Sequence, residues 1–309
     1  MQSVELTTKP RTQSNALRGP RVIRVVLVQA ESALGTETDD PRRSNLETAL
    51  AAIEHAGNED AHLIVFGELF LTGYRTDEWL HRWATPLDPP GAEIDALARA
   101  AEHHGVHVIM GLATFGPSVP GDIYNSAVLI GPRGVIGTYR KTHVAAFPTF
   151  DQGLAAERCY YSPGDDLPVF ESDIGRIGIQ ICYDLSFPEV SRVQTLKGAD
   201  VLVNISASAG TAANEEYMDH FLFTRAAENA VWLINCSVVG DQKNDRFFGG
   251  SRVVAPDGST VAKAKVYAED TLVVDIDLDA VRTERAMSHI LSTRNPAIYG
   301  ALARLDNRE

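Results

Sequence analysis

The sequence predicts an α/β fold, a four-layer α-β-β-α sandwich with an internal pseudo-twofold repeat. Three observations carry this. The 309 residues, 44% hydrophobic and 22% charged, are enough for one large domain with a real core. Runs of branched apolar residues alternate with amphipathic helical stretches along the chain. The order of these elements in the first half returns in the second.

In the first half, RVIRVVLVQAE (21–31) is a strand ending in polar groups, and SNLETALAAIEHAG (44–57) follows as a helix. AHLIVFGEL (61–69) is a second strand with a polar end. IDALARAAEHHG (94–105) is the next helix, and VHVIMGLAT (106–114) the third strand. NSAVLIGPRGVIGTYRK (125–141) reads strand, tight turn, strand. The counterparts are GRIGIQICYD (175–184), PEVSRVQTLKG (188–198), ADVLVNISAS (199–208), MDHFLFTRAAENA (218–230), VWLINCSVV (231–239) and GGSRVVAPDGSTVAKAK (249–265). Both hairpins bend at P-x-G, where proline presets φ and glycine accepts a positive φ. Each half then forms a mixed sheet with two helices on one face. Two such layers bury the most apolar surface when stacked sheet to sheet.

Composition narrows the function. A net charge of −13 argues against nucleic acid or an anionic membrane surface as the main partner. No apolar run approaches the roughly 20 residues of a membrane span. Residues 1–20 lack the apolar core of a secretory signal and read as a flexible tail or an arm on a partner subunit. Cys159, Cys182 and Cys236 are odd in number and widely spaced, which gives neither a disulfide framework nor a C-x-x-C zinc site. The expectation is a reduced, cytoplasmic protein without metal or cofactor. His103, His104 and His107 span a helix end and a strand start, so they read as solvated surface. The glycines of FGGSRV lack phosphate-loop spacing.

Cys182 ends the apolar run Ile177–Ile181, and Pro188 and Glu189 open a helix just beyond it. A strand's carboxyl end beside a helix start is where α/β proteins place their chemistry. A cysteine nucleophile must lose its proton, and its tetrahedral intermediate needs a positive partner. Glu68 directly follows LIVF, Lys141 directly follows the first hairpin's return strand, and Glu157 lies in LAAERCYYSPGD. Taken singly, each of these is ordinarily a solvated residue, and a lone buried cysteine is ordinarily a small hydrophobe. A papain-like pairing with His143 or His220 is the other way to activate the thiol, although His143 reads as support for the loop after Lys141.

Taken together, GELFLTGY (67–74), YRKTH (139–143) and ICYDLSFPE (181–189) resemble the three signature regions of the carbon–nitrogen hydrolase family, also called the nitrilase superfamily. ERCYYSPGD (157–165) and FFGGSRVVAPDG (247–258) extend the resemblance, which runs from about residue 21 to 300. The family fold is the sandwich that the repeat predicts, and the resemblance implies a hydrolase domain over residues 21–290. The resemblance implies Glu68 as general base, Lys141 as cationic stabiliser, Cys182 as nucleophile and Glu157 as second carboxylate. It also implies the Tyr183 N–H as a second oxyanion donor. The loop 142–156 is richer in small and aromatic residues than is usual in the family.

The resemblance implies a substrate class as well. Tyr183 and Asp184 after the cysteine resemble amidase-like and carbamoylase-like members, whereas true nitrilases show Trp then Glu. Leu185, Ser186 and Phe187 lack the arginine that grips a substrate carboxylate in members acting on ω-amides or carbamoyl amino acids. Arg192 or Arg225 could substitute. The expectation is a neutral or cationic amide or carbamoyl substrate, hydrolysed through a thioester with release of ammonia or an amine. Nitrile hydrolysis, a stand-alone glutaminase subunit and a non-catalytic scaffold are the alternatives. NISASAG (204–210) resembles a segment of the glutaminase domains of NAD synthetases and puts Ser206 and Ser208 at the pocket wall. Tyr74, Tyr183 and Phe147, with Phe150 and Tyr160, are wall candidates or core residues. Family members typically dimerise through helix faces, which implies a homodimer or larger homo-oligomer with residues 291–309 as an arm at the subunit interface.

Overall fold

Branched apolar residues build the strands, and turn chemistry sets where they stop. The structure is a computed structural model that describes residues 21–304 except 117, 118, 120, 147, 150–152, 155 and 156. The tail 1–20, Phe147, Phe150 and the last residues of the arm therefore lie outside the described residues. The first half runs β1 (Val22–Gln29), α1 (Pro41–Asn58), β2 (Leu63–Phe66), a short α2 (Leu80–Trp83), α3 (Ala92–His104), β3 (His107–Phe115), β4 (Ile123–Gly131) and β5 (Gly134–Arg140). Two short paired strands follow, β6 (Pro148–Thr149) and β7 (Gly153–Leu154). The second half runs β8 (Val169–Ser172), β9 (Gly175–Ile181), α4 (Pro188–Leu196), β10 (Val201–Ser206), α5 (Ala212–Asn229) and β11 (Trp232–Ser237). Then come β12 (Val239–Gln242), β13 (Asp245–Phe248), β14 (Arg252–Val254), β15 (Thr260–Lys263), β16 (Asp270–Asp277) and α6 (Asp279–Ser288).

The described residues form two six-stranded sheets, ordered β16-β1-β2-β3-β4-β5 and β15-β14-β11-β10-β9-β8. Read from their β16 and β8 edges, the two have the same directions. An antiparallel edge strand precedes three parallel strands and an antiparallel hairpin. The predicted repeat is therefore realised strand for strand. One core cluster holds Val25, Leu27, Val65 and Ile109 of the first sheet against Ile179, Val203 and Ile234 of the second. Ile53, Leu97 and Ala101 of α1 and α3 cover the outer face of the first sheet, while Leu222 and Ala226 of α5 cover that of the second. These are the four layers.

The differences from expectation are local. The edge strands β8 and β16 add a sixth strand to each sheet; β8 is short and half-exposed, so it carries little periodic signal. VWLINCSVV divides after Ser237, and Val239 opens a separate hairpin, β12–β13. The helix expected from residue 218 begins at Ala212, because Thr211 and Asn214 cap it reciprocally. In the carboxyl-terminal segment, Pro296–Ala301 is a 3₁₀ turn, with Ile298 and Leu302 exposed.

Candidate active site

The site forms where strand ends of both sheets meet. Glu68 lies two residues past the end of β2 and is fully buried. The loop that carries it turns sharply, with Leu69 at φ 53°. Gly111 of β3 allows this loop to lie against the sheet, since a Cβ there would strike the Gly67 carbonyl. The Leu71 N–H donates to the Gly111 carbonyl at 3.0 Å. Glu68 Oε1 accepts from Asn125 Nδ2 at 2.7 Å and Lys141 Nζ at 2.8 Å, and Oε2 accepts from the Ala207 N–H at 2.8 Å.

Lys141 leaves the end of β5 and is held by two backbone bonds. Its N–H donates to the Asn125 carbonyl and its own carbonyl accepts from Gly164 N–H, both at 2.8 Å. Besides Glu68, its ammonium reaches Glu157 Oε1 at 2.9 Å and Oε2 at 2.8 Å. Glu157 also accepts from the Tyr74 hydroxyl at 2.5 Å and the Ala145 N–H at 3.1 Å. Burial alone would push the Lys141 ammonium down, but the carboxylates of Glu157 and Glu68 outweigh it and hold it well above the usual lysine range. Burial pushes the Glu68 carboxyl up; Lys141 opposes the shift, and Glu157 adds to it. Burial and the Glu157 charge likewise keep the Tyr74 hydroxyl protonated, so it acts as a donor.

Cys182 opens a 3₁₀ turn, Cys182–Ser186, at the end of β9. Its φ of 49° is left-handed, which costs a non-glycine residue about 1 kcal/mol and is sustained only by its surroundings. The Ala207 N–H that donates to Glu68 Oε2 also faces the Cys182 sulfur. Burial raises the thiol well above its usual range, Glu68 adds to that, and Lys141 works against it. Cys182 thus rests as a neutral thiol beside the buried Glu68 carboxyl. A cationic hydrogen-bond donor stands beside both, and together these are the parts for acyl transfer.

The structure brings Glu68, Lys141, Glu157 and Cys182 together and adds Tyr74, whose ring packs edge-on against Phe247 at 5.3 Å. Tyr183 is half-buried, edge-on to Phe187 at 5.1 Å. Ser206 lies beneath the site: its carbonyl accepts from the Glu68 N–H at 3.3 Å, and its hydroxyl sits 3.5 Å from Asn235 Oδ1. The neighbouring Ala207 amide, rather than the Ser206 hydroxyl, reaches the carboxylate. Ser208 is half-buried, and its carbonyl accepts from Phe248 N–H at 3.1 Å. Tyr160 is exposed, and the buried Tyr161 stands beside Glu157 in its place.

Both candidate arginines bind protein groups, Arg225 with its whole guanidinium group and Arg192 with Nη2, while the buried Nη1 of Arg192 has no hydrogen-bond partner among the described residues. Arg225 is buried, donating to the Leu185 carbonyl at 3.0 Å, the Ser186 carbonyl at 3.3 Å and Glu228 Oε1 at 3.1 Å. Arg192 donates to the Glu228 carbonyl at 2.7 Å. The carbonyls they bind lie in the turn that Cys182 opens and in α5. His143 does support its loop, with Nδ1 2.9 Å from Asp184 Oδ1, while the side chain of His220 is 78% exposed beside Glu216. The surface reading of the histidine cluster fails at His107, which is buried with Nδ1 3.2 Å from the His62 carbonyl. No group of His, Cys, Asp or Glu among the described residues is arranged to hold a metal ion. No helix among the described residues is long and apolar enough to cross a membrane.

Several groups that shape the site escaped the sequence reading: Asn125, the Ala207 and Ala145 amides, and Asp184 as a structural hub. Asn125 had one signal, a polar residue inside the apolar strand IYNSAVLI. The amides had none, because any residue supplies them.

Comparison with known proteins adds a second line of evidence. The sequence profile of the family described as carbon–nitrogen hydrolase matches residues 24–286. A protein named nitrilase from Pyrococcus abyssi is 34% identical over 260 residues, covering 82% of this chain and 92% of its own. The N-carbamoylputrescine amidase of Solanum tuberosum is 29% identical over 294 residues, covering 89% and 95%. The crystal structure of an amidase from Nesterenkonia sp. superposes with a TM-score of 0.70 at 26% identity, covering 86% of this chain and 95% of that one. In a mutant of the Nesterenkonia sp. AN1 amidase, acrylamide has undergone Michael addition at the active site cysteine.

Proposed function

The chain belongs to the carbon–nitrogen hydrolase family, and we propose that it hydrolyses a small linear amide or carbamoyl compound through a thioester on Cys182. The observation that carries this reading is the buried Lys141 ammonium held by Glu68 and Glu157 in electrostatic contact with the Cys182 sulfur. The cysteine adduct in the Nesterenkonia sp. AN1 amidase supports it.

Cys182 Sγ attacks the amide carbon as Glu68 takes the thiol proton. The carbonyl oxygen becomes an oxyanion beside Lys141 Nζ, which is charged at every pH of interest and needs no proton to respond. The C–N bond breaks as Glu68 returns its proton to the leaving nitrogen, and ammonia or an amine departs. Glu68 then deprotonates a water that attacks the thioester. The second tetrahedral species collapses to the acid, and Glu68 reprotonates the thiolate. Glu157 holds Lys141 between the two carboxylates, and Tyr74 holds Glu157. The turn Leu185–Phe187 carries no arginine and Arg225 is committed to protein groups, which supports a substrate whose acyl tail is neutral or cationic.

This order of events sets a pH profile. Glu68 must be ionised to accept the thiol proton, so kcat/KM falls as pH drops through its carboxyl pKa. Burial places that limb above the ordinary glutamate value of about 4.3. Lys141 and the free thiol are both raised, so neither supplies a descending limb below about pH 8.5. An acid limb in the ordinary carboxylate range, measured on ammonia release, would sink the assignment of Glu68 as the base.

The substrate class is tested by ammonia release across matched amides, carbamoyl compounds, nitriles and dicarboxylate monoamides. The reading expects turnover of neutral or cationic amides or carbamoyl compounds. Turnover of nitriles alone, or a clear preference for dicarboxylate monoamides, would overturn it.

A further inference from the structure

Asp184 lies two residues beyond Cys182 and is fully buried. Its Oδ2 accepts from the Tyr139 hydroxyl at 2.7 Å and the Ile181 N–H at 3.1 Å. Its Oδ1 takes the Thr142 hydroxyl, the His143 N–H and His143 Nδ1, each at 2.9 Å. Tyr139, Thr142 and His143 bracket Lys141 on β5 and the loop after it, whereas Ile181 and Asp184 bracket Cys182 at the end of β9. The two segments belong to different sheets. One carboxylate therefore ties the strand end bearing the cation to the strand end bearing the nucleophile.

The surrounding groups reinforce the tie. The His143 ring stacks on Phe187 with centroids 3.7 Å apart and planes at 15°. Arg225 holds the carbonyls of Leu185 and Ser186 at the far end of the turn. Left-handed backbone at Cys182 needs such restraint, because a β-substituted residue does not rest there unaided. Displacement of a reacting group by about 1 Å costs on the order of 10²-fold in rate.

We propose that Asp184 is a positioning residue that sets the reach between Cys182 Sγ and Lys141 Nζ, acting through the two segments it ties. The inference rests on the nucleophilic reading of Cys182, and an alanine variant at that position tests that reading separately. Asp184→Asn keeps the shape but leaves one acceptor oxygen for donors that now also face an NH2 group.

The experiment uses the full chain with the amide or carbamoyl compound turned over fastest in the panel. In folded Asp184→Asn we expect kcat to fall about 10²-fold with KM within about threefold of the parent. Labelling of Cys182 by iodoacetamide, followed on the isolated peptide, should slow in parallel. A merely structural role would lower the melting temperature without moving either readout in the folded protein. If Asp184→Asn does not fold, Thr142→Val and Tyr139→Phe each delete one donor and leave the aspartate. Each should then lower kcat severalfold in folded protein. Parental kcat and labelling in folded Asp184→Asn, or in both single-donor variants, overturns the positioning role. Full activity in Cys182→Ala would instead overturn the underlying nucleophile assignment.

Discussion

Cys182→Ala loses turnover, with kcat down about 10⁵-fold or more, while the protein stays folded and still binds its substrate. Removing a nucleophile costs this much because the remaining groups stabilise charge on an attack that no longer occurs. No other thiol can take over. Cys236 is sealed between the sheets, its Sγ 3.2 Å from the Val65 carbonyl and 3.4 Å from that of Val28, and burial pushes its thiol up to about 12. Cys159 is exposed on the turn beyond Glu157. The substitution leaves Glu68, Lys141 and Glu157 paired, so thermal unfolding should shift by only a few degrees. Ammonia release above about a tenth of the parental rate would contradict a role as nucleophile.

Lys141→Met has the largest combined effect on activity and stability. It removes the cation beside the developing oxyanion, a loss of at least 10²- to 10³-fold in kcat by comparison with deleting one oxyanion donor, so about that much is the floor. It also leaves Glu68 and Glu157 buried without a cation. Breaking one member of a buried ion cluster costs about 3–5 kcal/mol. In the parent, the folded pKa of Lys141 lies above its unfolded value, so its stabilisation is fully present below about pH 10 and is lost only as pH rises through the folded value. In the variant, the Glu68 carboxyl loses the cation that opposes its upward shift and is pushed further up. A raised carboxyl pKa makes the folded state bind more protons than the unfolded one, so stability declines as pH rises above about 4.3. The gap in melting temperature between parent and variant should therefore be wider at pH 8 than at pH 5. Equal melting temperatures at both pH values would show that the ammonium does not balance the two carboxylates.

The fold was legible where the signal is local. LIVF is apolar at every position and IGIQI at all but Gln180, because parallel central strands are buried on both faces. The P-x-G bends mark both hairpins, with Gly134 and Gly258 at φ 106° and 92°. The break after Ser237 was hidden because the apolar run continues across it, and β8 was hidden because a short half-exposed edge has no periodicity to show. For the site, Glu68, Lys141, Glu157 and Cys182, which the fold brings together, were readable as residue types in resembling strings. Their partners were not, because a backbone amide such as that of Ala207 leaves no mark in the sequence. Arg225 shows the same limit in a charged side chain: its sequence position permits a substrate contact, but its guanidinium is spent on the carbonyls of Leu185 and Ser186. The web around Asp184 joins positions about forty residues apart, Tyr139 to Asp184 among them, and it becomes visible only when the sheets are stacked.

The most direct measurement is the mass of the acid-quenched protein during turnover of the amide or carbamoyl compound it hydrolyses fastest. The mechanism predicts a transient gain equal to the acyl group less one hydrogen, confined to the peptide bearing Cys182, discharged by hydroxylamine and absent from Cys182→Ala. Parental turnover accompanied by an acyl adduct on a different residue would contradict it, as would sustained ammonia release by Cys182→Ala.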